Sequence, residues 1–203
     1  MIIRGPIAAN VSIPTTIRDY TFGSGNDVVP TAAANLLIEV RSAGGSGRCD
    51  ASTNGFGGGG GAYGSESIPI LSSDWGTSCP YVCGVAGVSR STNVNGQTGT
   101  TSSFGPVTLN STSHTITCTG GSGGTTLGGS GGTSTGGTTN TSGGNASGTG
   151  FSSIGGSGAN AGGAGGSYGV AGNPIGGGGG AGDLADATSS GAGATPRIRF
   201  TYT

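Results

Sequence analysis

The feature that most limits the fold of this chain is residues 120–182, a stretch with very few large side chains. It consists mostly of Gly, Ser, Thr, Ala and Asn. Such a segment either stays disordered, because it buries too little apolar surface to offset the entropy of ordering, or it packs backbone against backbone. The larger residues that interrupt it are Leu127, Phe151, Ile154, Tyr168, Val170, Pro174 and Ile175.

Glycine spacing in this stretch favours packing over a flexible Gly/Ser linker. Gly163, Gly166, Gly169 and Gly172 lie three apart, which is the repeat of the polyproline II helix. Glycine faces let neighbouring backbones approach closely enough to hydrogen-bond. Flexible linkers seldom contain interspersed large side chains, and an obvious strand follows the stretch. The sequence therefore predicts short polyglycine II runs that pack against each other.

Strand patterns flank the glycine-rich stretch on both sides. Apolar residues alternate with other residues in two segments, as they do in strands with one buried face. No window has helical periodicity. The predicted fold class is all-β with no helix: a short-stranded β-sandwich-like sheet plus a bundle of polyglycine II helices. The predicted inward faces are Leu36, Ile38 and Val40 in the first strand and Ile198, Phe200 and Tyr202 in the last.

Local patterns give several narrower predictions. Residues 19–30 read as a β-hairpin with a Gly/Asn turn, ended by Pro30, and residues 81–88 as a short apolar strand. Residues 57–61 are five glycines that join two strands. His114 lies in an alternating segment with no second His and no carboxylate nearby in the sequence. It is therefore interpreted as a strand residue rather than a ligand or a base.

Composition changes suggest three parts. Residues 1–18, with Pro6 and Pro14, are predicted to form an N-terminal arm that docks on other proteins, or an edge strand of the same domain. Residues 19–119 form a β-rich part with the first glycine run. Residues 120–203 form the glycine-rich bundle closed by a C-terminal strand. The last two parts are expected to make one compact unit.

Charge is scarce, and this excludes several classes of partner. Seven Arg, no Lys and eight acidic residues give a net charge of −1, which argues against nucleic acid or an anionic membrane as a partner. No run is long enough to span a bilayer, and the first residues lack the apolar core of a signal peptide. A protein of this kind that acts outside a cell is expected to arrive in an assembled particle or by lysis.

The four cysteines leave two alternatives open. The single His cannot complete a common zinc pattern with the CPYVC pair, so no metal site is predicted. Buried free thiols and one or two disulfides both remain, and the sequence does not choose between pairings. The residues concerned are Cys49, Cys79, Cys83 and Cys118.

An enzyme is not predicted, and neither is a cofactor. The sequence offers no plausible Ser/His/Asp set and no nucleophile elbow before a helix. The glycine runs are not phosphate loops, because the chain has no Lys and no helix follows them. Asp183 and Asp186 are interpreted as solvated rather than as calcium ligands.

The order of these patterns resembles the glycine-rich domain of bacteriophage tail-fibre and other virion proteins. That family opens with a Tyr/Phe-Thr-Phe segment ended by Pro, followed by a strand that runs into glycines. It continues with a polyglycine run ended by an aromatic residue, a second strand, a GxTSSFG element and a return to glycine, and it closes with a strand like RIRFTY. The matching segments here, in the same order, are 19–22 with 28–30, 37–47, 57–63, 65–71, 99–105, 120 onward and 191–202.

The resemblance implies a virion protein exposed on the particle surface, with the N-terminal arm bound to other virion proteins. The tip of T-even phage adhesins, which is similar, implies a layered polyglycine II bundle whose variable loops contact the host receptor. The loops expected to do so here are 133–142, 145–153, 168–175 and 183–190. The candidate receptor-binding residues, chosen for stacking on sugars or for hydrogen bonding, are Asn140, Asn145, Phe151, Tyr168 and Asn173.

Three functions remain in competition. The first is a tail-fibre or spike-tip adhesin that binds a host surface glycan or outer-membrane protein. The second is a structural capsid decoration or fibre-cap protein without receptor binding. The third is an ice-binding protein built from similar helices. A homo-oligomer, with a trimer as the state considered, is part of the expectation.

Overall fold

The structure, a computed structural model, describes residues 14–51, 55–183 and 188–203. Within these ranges the regular elements are short β-strands and two single-turn 3₁₀ helices, Ser72–Asp74 and Gly150–Ser152, with no α-helix. The all-β prediction is therefore confirmed. In chain order the strands are β1 (Thr16–Tyr20), β2 (Ser24–Val28), β3 (Asn35–Arg41), β4 (Cys49–Asp50), β5 (Tyr63–Pro69), β6 (Ser78–Val82), β7 (Ser102–Leu109), β8 (Thr112–Cys118), β9 (Ser134–Thr135), β10 (Thr139–Thr141), β11 (Gly182–Asp183) and β12 (Arg197–Tyr202).

Two five-stranded antiparallel sheets pack face to face. The first has the order β1-β12-β3-β5-β10 and the second β2-β6-β7-β8-β9. Their inner side chains meet in one core, where the ring of Phe104 on β7 stands edge-on to Phe200 on β12 with centroids 5.8 Å apart. The predicted inward faces are confirmed, since all six side chains are buried: Leu36, Ile38, Val40, Ile198, Phe200 and Tyr202. Alternation along each strand therefore builds the core from both sheets.

The hairpin predicted for residues 19–30 is wrong. β1 pairs with β12 in the first sheet and β2 pairs with β6 in the second, so the chain crosses between sheets. Asp27 on β2 explains the crossing. Its buried carboxylate accepts hydrogen bonds from Arg18 at 2.7 Å, Tyr20 at 2.7 Å and Tyr202 at 2.8 Å. These donors lie on β1 and β12, so the polar contact holds one sheet against the other.

Partly buried Tyr20, together with buried Tyr202 and the buried thiols, predicts a loss of stability at alkaline pH. Burial, followed by the hydrogen bond to Asp27, raises the pKa of Tyr20 to about 12, and burial also raises the pKa of Tyr202. Burial raises the pKa of Cys79 to about 12. An unfolded tyrosine releases its proton near pH 10, so the unfolded chain binds fewer protons than the folded chain above that pH. Unfolded thiols ionise at still lower pH, so the free energy of unfolding is expected to fall from about pH 9 to about pH 12.

Denaturant titrations at a series of pH values, with tyrosinate absorbance recorded in parallel, measure this loss. Ionisation of Tyr20 and Tyr202 is expected to coincide with unfolding. If both phenols ionise near pH 10 while the chain stays folded, the described burial is contradicted.

Between the strands the chain runs through extended glycine-rich segments that belong to neither sheet. Each strand-to-strand excursion leaves the sandwich along one segment and returns along another. The backbones of these segments hydrogen-bond to one another. We number them in chain order as g1 (42–48), g2 (55–62), g3 (83–89), g4 (95–101), g5 (119–124), g6 (128–133), g7 (142–147), g8 (154–159), g9 (162–167), g10 (170–173), g11 (175–181) and g12 (189–196).

The segments form a layered bundle around three inner members. Segment g1 hydrogen-bonds to g2, g3, g4, g5, g11 and g12; g2 to g1, g5, g6, g7, g8 and g11; and g11 to g1, g2, g8, g9, g10 and g12. The remaining segments surround these three in chain order, from g3 to g10 and then g12. The N–H of Gly193 on g12 donates to the carbonyl of Gly87 on g3 and closes the ring.

Hydrogen-bond directions in the bundle repeat every three residues. In g2 the N–H groups of Gly58, Gly59 and Gly60 donate to g11, g5 and g7, and that of Gly61 donates to g11 again. A β-strand repeats every two residues, so this inner segment is not a strand. Its glycines are required by space, since a Cβ on Gly59 would overlap the carbonyl oxygen of Ser130.

Burial on the outer segments follows the same period. On g3, Gly84 and Gly87 are buried whereas Val85 and Val88 are exposed. The strand predicted at residues 81–88 is therefore wrong beyond Val82, where β6 ends. Apolar content suggested a strand, but the glycines three apart set the conformation. The predicted spacing in residues 163–172 has the same explanation, because Gly163, Gly166 and Gly172 are buried.

The bundle has one end at the sandwich and one end away from it. Strands continue directly into segments at the sandwich end, where two turns also join g8 to g9 and g10 to g11. Arg41, at the end of β3, donates to the carbonyl oxygens of Ala159 and Asn160 in the first of these turns, both at 2.8 Å. We call the opposite end, which carries the loops between the other paired segments, the distal face. Residues 16–18 of the predicted arm lie in β1, an edge strand, and residues 1–13 lie outside the described residues.

Candidate functional site: the distal loop face

Six loops form the distal face, each joining an outgoing segment to a returning one. Loops 90–94, 125–127, 148–153 and 168–169 are described in full, and loops 49–54 and 182–188 are described in part. Both ends of each of the four fully described loops enter the hydrogen-bonded bundle, which fixes the positions of these loops. The distal face is thus a set of short loops on a regular support.

A short parallel strand pair forms the base of this face. β4 pairs with β11, with Gly182 opposite Cys49 and Asp183 opposite Asp50. Arg48 lies beside this pair, and its guanidinium approaches the carboxylate of Asp50 to 2.6 Å, with only 16% and 4% of the two side chains exposed. The opposite charges of Arg48 and Asp50, at the end of g1, are therefore largely buried and paired with each other.

Polar side chains tie neighbouring loops to this base. Arg48 donates to the side-chain oxygen of Asn95 at 3.2 Å and, at 3.5 Å, to that of Asn93. Arg90 and Ser190 exchange two bonds: the Ser190 N–H donates to the Arg90 carbonyl at 2.7 Å, and the Arg90 N–H donates to the Ser190 hydroxyl at 2.9 Å. The loops after g3 and before g12 are thereby held to one another.

Ser153 anchors the loop that contains the second 3₁₀ turn. Its hydroxyl is fully buried, accepts from the Gly57 N–H at 2.9 Å and donates to the Ser147 carbonyl at 3.1 Å. Ser147 and Ile154 also form a β-bridge that closes the loop. The turn Gly150–Ser152 therefore projects from a fixed base.

Exposed apolar side chains lie on or directly beside three loops of the face. Leu127 is 73% exposed, and Ile154 and Val94 are 45% and 42% exposed. The Thr125 hydroxyl donates to the Leu127 carbonyl at 3.2 Å and accepts from the Leu127 N–H at 3.1 Å. This turn holds Leu127 outward, although the side chain gains nothing from burial. The face combines apolar contacts with hydroxyl and amide groups, a mixture suited to binding another molecule.

The structure separates the five residues predicted to bind a receptor. Phe151 lies in the 3₁₀ turn and Tyr168 in the loop after g9, both on the distal face. Asn145 lies within g7, where its side-chain oxygen accepts from the Gly131 N–H at 2.8 Å. Asn140 lies in β10 and accepts from Ser134 at 2.9 Å, and Asn173 is the last residue of g10, at the sandwich end.

Two of the predicted contact loops are therefore at the wrong end. Residues 133–142 contain β9 and β10, which belong to the sheets, and the second half of 168–175 turns next to the sandwich. The sequence showed where glycine runs are interrupted but not to which end each interruption belongs. Leu127 and Arg48 were missed as features of the face. Their signal was a large or charged residue directly beside a glycine run.

The cysteines and the histidine are placed in the protein interior or in strands. All four cysteines are buried free thiols. Burial raises the pKa of Cys83 and of Cys118 to about 11, so these thiols remain protonated at neutral pH. His114 is a residue of β8 as predicted, but Glu66 approaches its Nδ1 to 3.0 Å. Glu66 lies 48 residues away in the chain, so this contact was not visible in the sequence.

The part of the chain described by the structure contains no cluster of three metal-binding side chains and no helix that could cross a membrane. No protein-family model matches the sequence, and no curated protein is significantly similar to it.

Proposed function

We propose that this chain is a bacteriophage virion adhesin, located at a tail-fibre or spike tip, that binds a host surface receptor through the distal face. The proposal rests on the resemblance of its motifs to glycine-rich virion domains together with one structural observation. That observation is the separation of the molecule into a sandwich end and a loop end, joined by a bundle with little side-chain mass.

The bundle supports the proposal because its three-residue period fits a polyglycine II scaffold. Three-residue periodicity in hydrogen-bond direction on g2 and in burial on g3 is what a three-residue helix produces. Close backbone approach at most inner glycines leaves little room for rearrangement, as at Gly59 against Ser130. A scaffold of this kind holds loops in place without a conventional core, so loop sequences can change while the support stays the same.

The distal loops supply the chemistry of receptor contact. Exposed Leu127, Val94 and Ile154 offer apolar area, and Thr, Ser and Asn side chains surround them. The partly buried pair of Arg48 and Asp50 leaves no strong field of one sign there. A host glycan or an outer-membrane protein loop fits such a surface better than a polyanion does.

Substitution of Leu127 tests the role of the distal face. Leu127→Arg in the full chain is expected to reduce retention of the fluorescently labelled protein on host bacterial cells by about tenfold, because one exposed apolar anchor is replaced by an unpaired charge. Leu71→Arg is the matched control, since Leu71 is an exposed leucine in the loop that follows β5 of the sandwich. Flow cytometry on a panel of whole bacterial cells measures the retention.

Two results would overturn the proposal. The first is equal retention of the wild type and the Leu127→Arg variant. The second is immunogold labelling of intact particles that finds the chain in a regular lattice over the head, which is where a capsid decoration protein sits. A few labelled copies at the end of a fibre or spike support the adhesin.

A further inference from the structure

One flank of the bundle combines exposed valine side chains with backbone N–H groups that lack hydrogen-bond partners. We define the open flank as the outer faces of g3, g10 and g12, which are adjacent in the ring. Its exposed side chains are Val85, Val88, Val170, Ala171 and Thr195, with Ala192 half-buried. Residues 83–89, 170–173 and 189–196 contain no charged residue. Val85 and Val88 are 63% and 52% exposed, so this apolar surface is not incidental.

Backbone N–H groups on the open flank lack partners at a regular spacing. On g12 the N–H groups of Gly191 and Ala194 donate to g11, and that of Gly193 donates to g3. Those of Ala192 and Thr195, three residues apart, have no hydrogen-bond partner in the described chain. The three-residue period turns this third direction outward, away from g3 and g11.

Side chains cap some of the outward N–H groups of the bundle. Thr100 caps the N–H of Val85 at 2.6 Å, and Asn145 caps that of Gly131 at 2.8 Å. Thr119 caps the N–H of Thr133 at 2.7 Å. On g12 the corresponding positions carry no such cap, so its outer edge resembles the open edge of a β-sheet.

The open flank continues along the edges of both sheets. β12 follows g12 and its outer neighbour is the edge strand β1, while β6 precedes g3 and its outer neighbour is the edge strand β2. Phe22 lies in the link between these two edge strands and is 84% exposed. From β6 through g3 this side is roughly 35 Å long, and with several backbones across it covers roughly 600 to 700 Å². That is close to the ~800 Å² that each partner contributes to a stable interface.

We infer that the open flank binds the open flank of a second copy of this chain. A partner must bring an uncharged face, small side chains that allow backbone approach, and acceptors that match donors three residues apart. The same flank supplies the acceptors, because the carbonyl of Ala86 on g3 has no partner in the described chain. A two-fold axis lets each copy offer donors and acceptors to the other. This dimer goes beyond receptor binding, because the distal face plays no part in it.

Sedimentation equilibrium of the full chain between about 1 and 200 µM tests the dimer. The wild type is expected to reach the mass of two chains. Val85→Arg combined with Val88→Arg is expected to raise the dimer dissociation constant by at least about tenfold, because two charges per copy are buried without partners. The matched control is Ser130→Arg with Ser157→Arg, two exposed serines on g6 and g8.

Amide hydrogen exchange provides an independent readout. The N–H groups of Ala192 and Thr195 are expected to exchange more slowly at high than at low protein concentration. The N–H of Ser130, which also lacks a partner but lies on the opposite flank, is expected to exchange at one rate. A wild type that stays monomeric or forms a trimer, equal association of the two double variants, or exchange at Ala192 and Thr195 that ignores concentration would overturn the inference.

Discussion

Gly59→Ala is expected to lower the free energy of unfolding by at least about 3 kcal/mol, the upper part of the range for overpacked interiors. A Cβ at this position would overlap the carbonyl oxygen of Ser130 and lie 2.9 Å from the nitrogen of Gly131. Both are backbone atoms of a segment fixed on several sides, so they cannot rotate away as a side chain would. The midpoint of thermal unfolding should fall by roughly 10 °C for a chain of this length.

Gly128→Ala is the matched control, because Gly128 also belongs to a glycine segment but is exposed. A Cβ there would lie 3.2 Å from the Ala146 carbonyl oxygen and 3.3 Å from the Ala146 methyl group, distances that small shifts relieve. Its effect is expected to stay within about 1 kcal/mol, partly because alanine restricts the unfolded chain. Calorimetry of the two variants decides the matter, and equal midpoints would contradict a tightly packed backbone bundle.

Asp27→Asn is expected to cost about 3 kcal/mol. The carboxylate is fully buried and accepts from Arg18, Tyr20 and Tyr202. A neutral amide weakens the bonds that both oxygens accept and turns an NH₂ group toward a donor, which leaves buried groups unpaired. Arg18 is partly exposed and regains water, which keeps the cost below that of a fully buried pair.

Asp19→Asn is the matched control, because Asp19 lies on the preceding strand, β1, and also pairs with an arginine. Asp19 binds Arg199 through two bonds of 2.7 Å, but 38% and 30% of the two side chains are exposed. Exposed pairs of this kind contribute less than about 1 kcal/mol. Urea titrations of both variants at neutral pH should therefore separate them by about 2 kcal/mol or more. If they lose the same stability, Asp27 does not hold the two sheets together.

The sequence predicted those parts of the fold in which side chains alternate or recur. Leu36, Ile38 and Val40 identified a buried strand face because the strand period is visible in one dimension. Glycines three apart at 163–172 indicated backbone packing for the same reason. The separation of residues 19–30 into two sheets was not visible, because it depends on Asp27 meeting Tyr202, which lies 175 residues away in the chain.

The candidate site was less accessible to sequence reasoning than the fold. Each interruption of a glycine run reads as a loop, but the end of the bundle at which it lies depends on the direction of every preceding segment. Phe151 and Tyr168 lie in distal loops, whereas Asn140 and Asn173 lie at the other end of the bundle. The sequence around all four residues has a similar Gly, Ser, Thr and Asn composition, so composition did not separate them. A lone large residue between glycine pairs, such as Leu127, is the signal that distinguishes a distal loop most directly.

The arrangement of inner and outer segments also has a consequence for how the chain matures during synthesis. Segment g1 emerges from the ribosome early, but its hydrogen-bond partners are synthesised late. The N–H of Gly44 donates to the carbonyl of Ala194, and the carbonyl of Gly45 accepts from the N–H of Gly179. β3 likewise waits for β12, its neighbour in the first sheet. Contacts so distant in sequence form slowly. In a nascent chain that stops before g11, backbone groups of g1 and g2 therefore lack their partners and remain hydrated. Native structure is expected to form only after g11, g12 and β12 have been synthesised.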